Sequence, residues 1–207
     1  METTPTTPVW RYFSHLTPQQ QIQLQQLAPL YQAWNARINL ISRKDIANLA
    51  IRHILYSLSI AKIVAFSPSA SILDVGTGGG FPGIPLAILF PQTHFHLIDS
   101  VHKKIKAVQG IAHTLGLQNV TTQPIRAEAL RGTYDFILGR AVTSLATFYT
   151  WVKDKIAPQS QHPIPNGILY LKGDEPIVLS LNYRTYAIGQ LFSEPFFQTK
   201  QLVHVYP

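Results

Sequence analysis

The pattern of apolar and polar positions along the chain changes period near residue 70. Before that point apolar residues recur at helical spacing. Leu24, Leu27, Ala28, Tyr31 and Trp34 share one face of a segment opening Thr17-Pro18-Gln19-Gln20, a capping-box pattern with proline at the first helical position. The intervening glutamines form a solvated face, and Pro29 is expected to kink or divide the helix. A connection over residues 35–44 carries Arg37, Asn39, Ser42, Arg43 and Lys44. Asp45 is then placed to cap a second helix with Ile46, Leu49, Ala50, His53, Ile54 and Leu58 largely on one face. The plain reading of His53 in that stripe is a hydrogen-bonded boundary residue.

From Ser71 onward short β-type runs alternate with helical stretches. Strands are predicted at Ser71 to Val75, Phe95 to Ile98, Val120 to Ile125, Tyr134 to Gly139, Gly167 to Lys172, Thr185 to Phe192 and Gln201 to Tyr206. Helices are predicted over Ile84 to Phe90, Lys103 to Leu115 and Thr143 to Ile156, with a loop at Pro158 to Asn166. Such alternation defines an α/β fold, a doubly wound and mainly parallel sheet, here with seven strands and an antiparallel tail. The organisation expected is a helical extension over residues 1–70 and a ligand-binding domain over 71–207, packed as one unit.

The candidate chemistry sits where the first strand ends. Asp74-Val75-Gly76-Thr77-Gly78-Gly79-Gly80-Phe81-Pro82-Gly83 passes from strand to helix through a loop rich in glycine, which lets a ligand press against backbone. Two ligand classes use this architecture. Gly78-x-Gly80-x-x-Gly83 satisfies the dinucleotide pattern, whereas Asp74-x-Gly76-x-Gly78-x-Gly80 satisfies that of S-adenosylmethionine sites. A carboxylate just before the loop would crowd a pyrophosphate and suits the cationic amino acid end of the methyl donor. The register of the acid therefore favours the donor, and a dinucleotide stays as the alternative. Asp99, at the end of the second strand, is placed to accept ribose hydroxyl hydrogens under either reading. Its plainer role would be to cap the next helix, but Ser100 is free to do that.

Composition narrows the acceptor. The chain has 17 Lys and Arg against 10 Asp and Glu, a net charge of +7, with six of those cations against two acids in residues 1–70. A basic surface beside a methyl-donor site points to a polyanion, most simply nucleic acid. There is no cysteine. That removes disulfides, cysteine metal sites and thiolate-dependent methylation of pyrimidine C5, and it fits a reducing, cytoplasmic setting. Met1 to Pro8 lacks the form of a secretory signal, and no apolar run reaches membrane-spanning length. His94 and His96 share a strand face without further ligands, so no metal is expected.

Three later loops lie at strand carboxyl ends, where ligands collect in such sheets. Arg126-Ala127-Glu128 could meet an adenine edge, although Glu128 also suits a helix start. Gly139-Arg140-Ala141 stands where exocyclic-amine methyltransferases carry an Asn/Asp-Pro-Pro-aromatic segment, which is absent. Leu171-Lys172-Gly173 adds a second cation, suited like Arg140 to phosphate or a base edge.

Together these residues resemble the RsmG family, also called GidB, bacterial methyltransferases of small-subunit ribosomal RNA. The resemblance covers about Tyr31 to Gly173. It rests on Asn39-Leu40, Arg52-His53-Ile54-Leu55, Leu73 to Pro85, Asp99-Ser100 with Lys103-Lys104, Arg126-Ala127-Glu128, Arg140-Ala141 and Leu171-Lys172-Gly173. It implies a Rossmann-like class I fold and S-adenosylmethionine-dependent N7-methylation of one guanine in 16S ribosomal RNA, yielding S-adenosylhomocysteine. It also implies donor contacts from Gly76, Phe81, Ala127, Glu128 and Arg140, with Asp74, Gly78 and Asp99 as neighbours. Arg140, Lys172, His53 and Asn39 are the candidates for placing RNA and guanine. No catalytic residue is named, because guanine N7 carries a lone pair and no proton. The substrate would be the RNA, an assembly intermediate or the subunit, and a monomer is expected. The chain departs from the family at Ile41 for Thr, Tyr56 for Asp, Gly79 for Pro and Gly139 for Ser. Two other readings stay in play, a methyltransferase of a small molecule or protein, and an RNA-binding module with a lapsed donor site.

Overall fold

The computed structural model describes residues 7–42, 44–178 and 180–207. Most of the Met1 to Pro8 segment, and Arg43, therefore lie outside the described residues. Seven strands form one sheet: β1 (Ser71–Val75), β2 (His94–Asp99), β3 (Val120–Pro124), β4 (Phe136–Arg140), β5 (Gly167–Lys172), β6 (Asn182–Ala187) and β7 (Gln201–Tyr206). Their order is β3-β2-β1-β4-β5-β7-β6. The first five are mutually parallel, while β7 runs antiparallel to β5 and β6 antiparallel to β7. The order reverses between β1 and β4, which opens a crevice at their carboxyl ends.

The central strands are buried on both faces, which explains their nearly unbroken apolar runs. Alternate residues feed two cores. Ile72, Phe136, Leu138, Leu169 and Leu171 face one side, joined by the helical extension, α4 (Gly83–Leu89) and α5 (His102–Thr114). Leu73, Val75, Ile137, Ile168 and Tyr170 face the other, under α6 (Leu145–Val152). Among the described residues no helix is long and apolar enough to cross a membrane.

The extension begins with α1 (Thr7–Tyr12) and α2 (Pro18–Asn35). Thr17 caps α2 as its sequence predicts: its hydroxyl accepts from Gln20 N–H, and the Gln20 side chain accepts from Thr17 N–H. Pro29 does not divide the helix. It lies on the exposed face, where the Gln25 carbonyl it leaves without an N–H partner is open to solvent.

The second helix departs further from expectation. Residues 46–62 form a succession of a 3₁₀ turn (Ile46–Asn48), a π-helical stretch (Ala50–Leu55), an α turn, α3 (Tyr56–Leu58), and another 3₁₀ turn (Ser59–Lys62). Asp45 provides no side-chain cap, because its carboxylate accepts instead from Ser42 Oγ (2.7 Å) and Arg52 (2.7 Å). Downstream, α6 stops at Val152 and continues as a 3₁₀ turn over Lys153–Lys155. The run expected as one strand to Phe192 ends at Ala187 and turns at Ile188–Gln190. Ser100 is not the α5 cap either. Val101 occupies that position, and the Asp99 carboxylate takes the Val101 N–H at 2.9 Å.

One contact fixes the extension against the sheet layer. A Cβ built on Gly110, inside α5, would stand 2.6 Å from the Trp34 ring of α2. Alanine normally gains up to about 1 kcal/mol over glycine inside a helix. At this position overpacking should reverse the sign, so Gly110→Ala is expected to lower stability by about 1 kcal/mol in urea denaturation. A stabilised variant would show that Trp34 is free to move aside.

Candidate functional site

The glycine loop rises from β1 over a buried acid. Asp74 is fully buried, and its Oδ2 accepts from Thr77 Oγ1 (2.6 Å) and Gly83 N–H (2.9 Å), bracing both ends of the loop. Its Oδ1 has no partner. Burial pushes the Asp74 carboxyl up to about 6, against the pull of those two hydrogen bonds. An unpaired carboxylate oxygen at this depth is costly, so the site is suited to a ligand that carries a cation. Gly76 and Gly78 hold φ values of +65° and +59°, the left-handed region that L side chains rarely adopt.

Asp99 sits across the loop. Its Oδ2 accepts from Gly78 N–H at 3.0 Å, while Oδ1 takes the Val101 N–H. A carboxylate has about four acceptor positions, so both oxygens keep capacity for ribose hydroxyls. A cavity of about 240 Å³ follows, lined by Val75, Gly76, Asp99, Ala127, Glu128 and Val142. Ala127 is buried and Glu128 exposed, on a 3₁₀ turn after β3. Four of the predicted donor residues (Gly76, Asp99, Ala127 and Glu128) thus line one cavity, while Gly78 is tied to it through Asp99 and Asp74 lies buried beneath the loop.

Phe81 and Arg140 do not line this cavity. Phe81 is buried against Tyr31, with ring centroids 4.7 Å apart, and against His53 at 5.1 Å; the Arg140 guanidinium lies 5.2 Å from its centroid. Arg140 donates to His53 Nδ1 (3.1 Å) and to the Arg52 carbonyl (3.3 Å). Burial lowers the Arg140 pKa, with the Asp74 charge opposing that shift, yet a guanidinium stays cationic. His53 is held neutral: burial, then the Arg140 charge, takes it down to about 3. The acceptor role of Nδ1 puts its proton on Nε2. Arg52 and His53 fall inside the π-helical stretch, a widening often found at functional sites.

A larger cavity of about 670 Å³ opens beside Arg140, between β4, β5 and the start of α6, and includes Tyr56, Tyr170, Lys172, Glu175 and Lys200. Lys172 Nζ pairs with the Glu175 carboxylate at 3.1 Å and donates to the Gly173 (3.2 Å) and Glu175 carbonyls. Tyr56, the departure from the family's Asp, donates to the Lys172 carbonyl at 3.0 Å, so the extension still reaches the crevice by a hydrogen bond. Asn39 lies elsewhere, exposed in a polar hollow with Asn35, Arg37 and Ser42.

Several contributors were not singled out from sequence. Tyr31 donates to the Gly79 carbonyl (2.6 Å), tying α2 to the loop. The Tyr170 hydroxyl accepts from Val142 and Thr143 N–H (3.1 and 3.2 Å) and donates to the Thr143 carbonyl (2.6 Å), fixing the loop after β4. A Cβ on Gly139 would stand 2.7 Å from both Phe148 and Tyr170, which accounts for glycine there in place of the family's serine. In sequence a Tyr at the helix face or in an apolar strand looks like any core aromatic. Among the described residues, no group of three or more His, Cys, Asp or Glu is placed to hold a metal.

The buried histidines predict a pH profile. Burial takes His204 down to about 4, as it takes His53 to about 3. Below about pH 6.5 the unfolded chain binds protons that these groups refuse when folded, so stability falls as pH falls. Asp74 acts oppositely, its raised pKa regaining stability from about pH 6 downward. Burial lowers His96 and His162 as well, so the histidines outweigh the one carboxyl, with a net loss of at least about 1 kcal/mol per pH unit between pH 6 and 5. Denaturant titration across that range checks this, and a flat profile would contradict it.

The sheet order, the braced glycine loop and the acid ending β2 define a class I methyltransferase fold. A solved S-adenosylmethionine-dependent methyltransferase from Aquifex aeolicus superposes with a TM-score of 0.58 at 15% identity, covering 80% of this chain and 98% of that one. GidB, the family described as rRNA small subunit methyltransferase G, matches residues 20–177, and the chain belongs to that family. Proteins of that name from Flavobacterium johnsoniae and Christiangramia forsetii are similar at 50% and 52% identity. The first match covers 95% of this chain and 96% of its relative, the second 94% of each.

Proposed function

We propose that the protein transfers the methyl group of S-adenosylmethionine to N7 of one guanine in 16S ribosomal RNA. The observation that carries this reading is the pair of cavities on the loop after β4. One is lined by Gly76, Asp99, Glu128 and Val142, and the other is large and rimmed by Arg140, Lys172 and Lys200. Membership of a ribosomal RNA methyltransferase family supports the acceptor class.

The residues divide the work by chemistry. Gly76 and Gly78 would leave room for the donor, Asp99 would hold its ribose, and Ala127 with Glu128 would meet its adenine. Asp74 Oδ1 would face the cationic amino acid end. The donor supplies an electrophilic methyl on a sulfonium. Guanine N7 offers a lone pair without a proton, so no side chain need act as base. The absence of an Asn/Asp-Pro-Pro-aromatic segment after β4 agrees with this. Arg140 and Lys172 would orient the nucleotide, and His53, held neutral by burial and then by the Arg140 charge, would position that arginine. Holding two reactants in line can supply roughly 7 to 11 kcal/mol. Since N7 lies in a groove inaccessible in RNA duplexes, the target is an unpaired or loop nucleotide. The protein would act in the cytoplasm as a monomer, on RNA within an assembling or finished subunit. Among the described residues the exposed large apolar ones are Ile22 in α2, Val178 in the connection after β5, and Tyr183 in β6.

Transfer of tritiated methyl to small-subunit RNA and subunits from cells lacking the protein, followed by nucleoside analysis, tests this. Labelled 7-methylguanosine at one site is expected. Donor binding without label in any RNA form would move the acceptor to a small molecule or protein.

A further inference from the structure

Two cations converge on one aromatic ring at the edge of the larger cavity. The Arg52 guanidinium lies 5.7 Å from the centroid of Phe196, and Lys200 Nζ lies 5.2 Å from the same centroid. Phe196 is half-buried, with the Tyr56 ring edge-on to it at 5.6 Å and 85°. The three residues come from remote parts of the chain. Arg52 belongs to the π-helical stretch, and Phe196 and Lys200 to the connection between β6 and β7, outside the segment that matches the family.

Gathering like charges costs energy unless something negative is to meet them. The acids nearby compensate in part. Asp45 pairs with Arg52 at 2.7 Å, the two side chains 35% and 43% exposed, and Glu175 pairs with Lys172 while also feeling the Lys200 charge. Among the described residues no acid lies within 4.0 Å of Lys200, which lines the cavity together with Lys172 and Arg140. Exposed pairs of this kind contribute little to stability. The ring holds both cationic side chains in place while leaving their charge available.

We propose that Arg52, Phe196 and Lys200 form a platform that binds the RNA phosphate backbone at the mouth of the acceptor cavity. This inference rests on the RNA-substrate reading. Phosphate contacts set the register of a nucleic acid without selecting its sequence. The platform would therefore hold the strand so that one nucleotide enters between Arg140 and Lys172.

The test is small-subunit RNA binding by the full chain over a range of salt concentrations. Lys200→Ala should weaken binding about five- to tenfold at moderate salt and reduce the slope of log affinity against log salt by about 0.7 to 1. Lys200→Arg should restore both, and donor affinity should be the same in all three proteins. Phe196→Leu, which keeps an apolar residue in place, should weaken RNA binding by about threefold by freeing both cations. If the native protein methylates RNA and Lys200→Ala keeps the native salt slope, the platform alone is overturned. A parallel loss of donor affinity would likewise reduce Lys200 to a structural role. A native protein that methylates no RNA would overturn the functional reading and the platform together.

Discussion

Gly78→Asp is expected to weaken methyl-donor binding by at least about a hundredfold, roughly 2.7 kcal/mol, while the protein still folds. The Gly78 N–H is bonded to Asp99, and a Cβ there would have open space, its nearest neighbour being the Gly76 carbonyl at 3.9 Å. An aspartate is among the side chains best tolerated at positive φ, so the backbone cost is about 1 kcal/mol. Its carboxylate would stand beside Asp99, filling the crevice and repelling that charge. Calorimetry with S-adenosylmethionine, alongside circular dichroism, separates the two effects. Unchanged affinity in a folded variant would remove the glycine loop from the donor site.

Arg140→Lys is expected to lower kcat/KM for RNA methylation by about a hundredfold and stability by about 1 to 2 kcal/mol. A lysine keeps the charge but not the planar fork that reaches His53 Nδ1 and the Arg52 carbonyl together from beside the Phe81 ring. The half-buried His53 nitrogen would then lose its partner, which costs about 1 kcal/mol. Because the two side chains act as one unit, Arg140→Lys combined with His53→Ala should cost much less than the sum of the single changes. Additive effects in steady-state kinetics and denaturation would show that His53 does not act through Arg140.

The two variants probe parts of the site that differ in how plainly they were written in the sequence. The glycine loop was legible because its chemistry is local. An acid, four closely spaced glycines and a helix start lie within ten residues, so their geometry follows from strand and helix periods alone. Asp99 was legible for the same reason, since a strand's last residue must face the crevice. Its precise bonding was not, because the N–H groups it accepts come from the loop and from its own turn. The stretch from Ile46 to Leu58 is not the single regular helix that its apolar spacing predicts. Apolar spacing reports which face is buried but cannot distinguish i→i+4 from i→i+5 bonding, and here that difference presents Arg52 and His53 to different neighbours.

By itself the sequence determined the strand order's ingredients, the buried alternation of the sheet and the donor loop, because each depends on residues close together in the chain. It also determined that cations exceed acids. Only the tertiary structure decided which cations matter and to what they are bound. Arg140 is engaged by a histidine 87 residues away, Lys172 is occupied by Glu175, Asn39 stands apart, and Lys200 joins Arg52 on Phe196. Charges act through space over several ångströms with no regard for sequence separation, so their partners are fixed only once the sheet and the helical extension have packed.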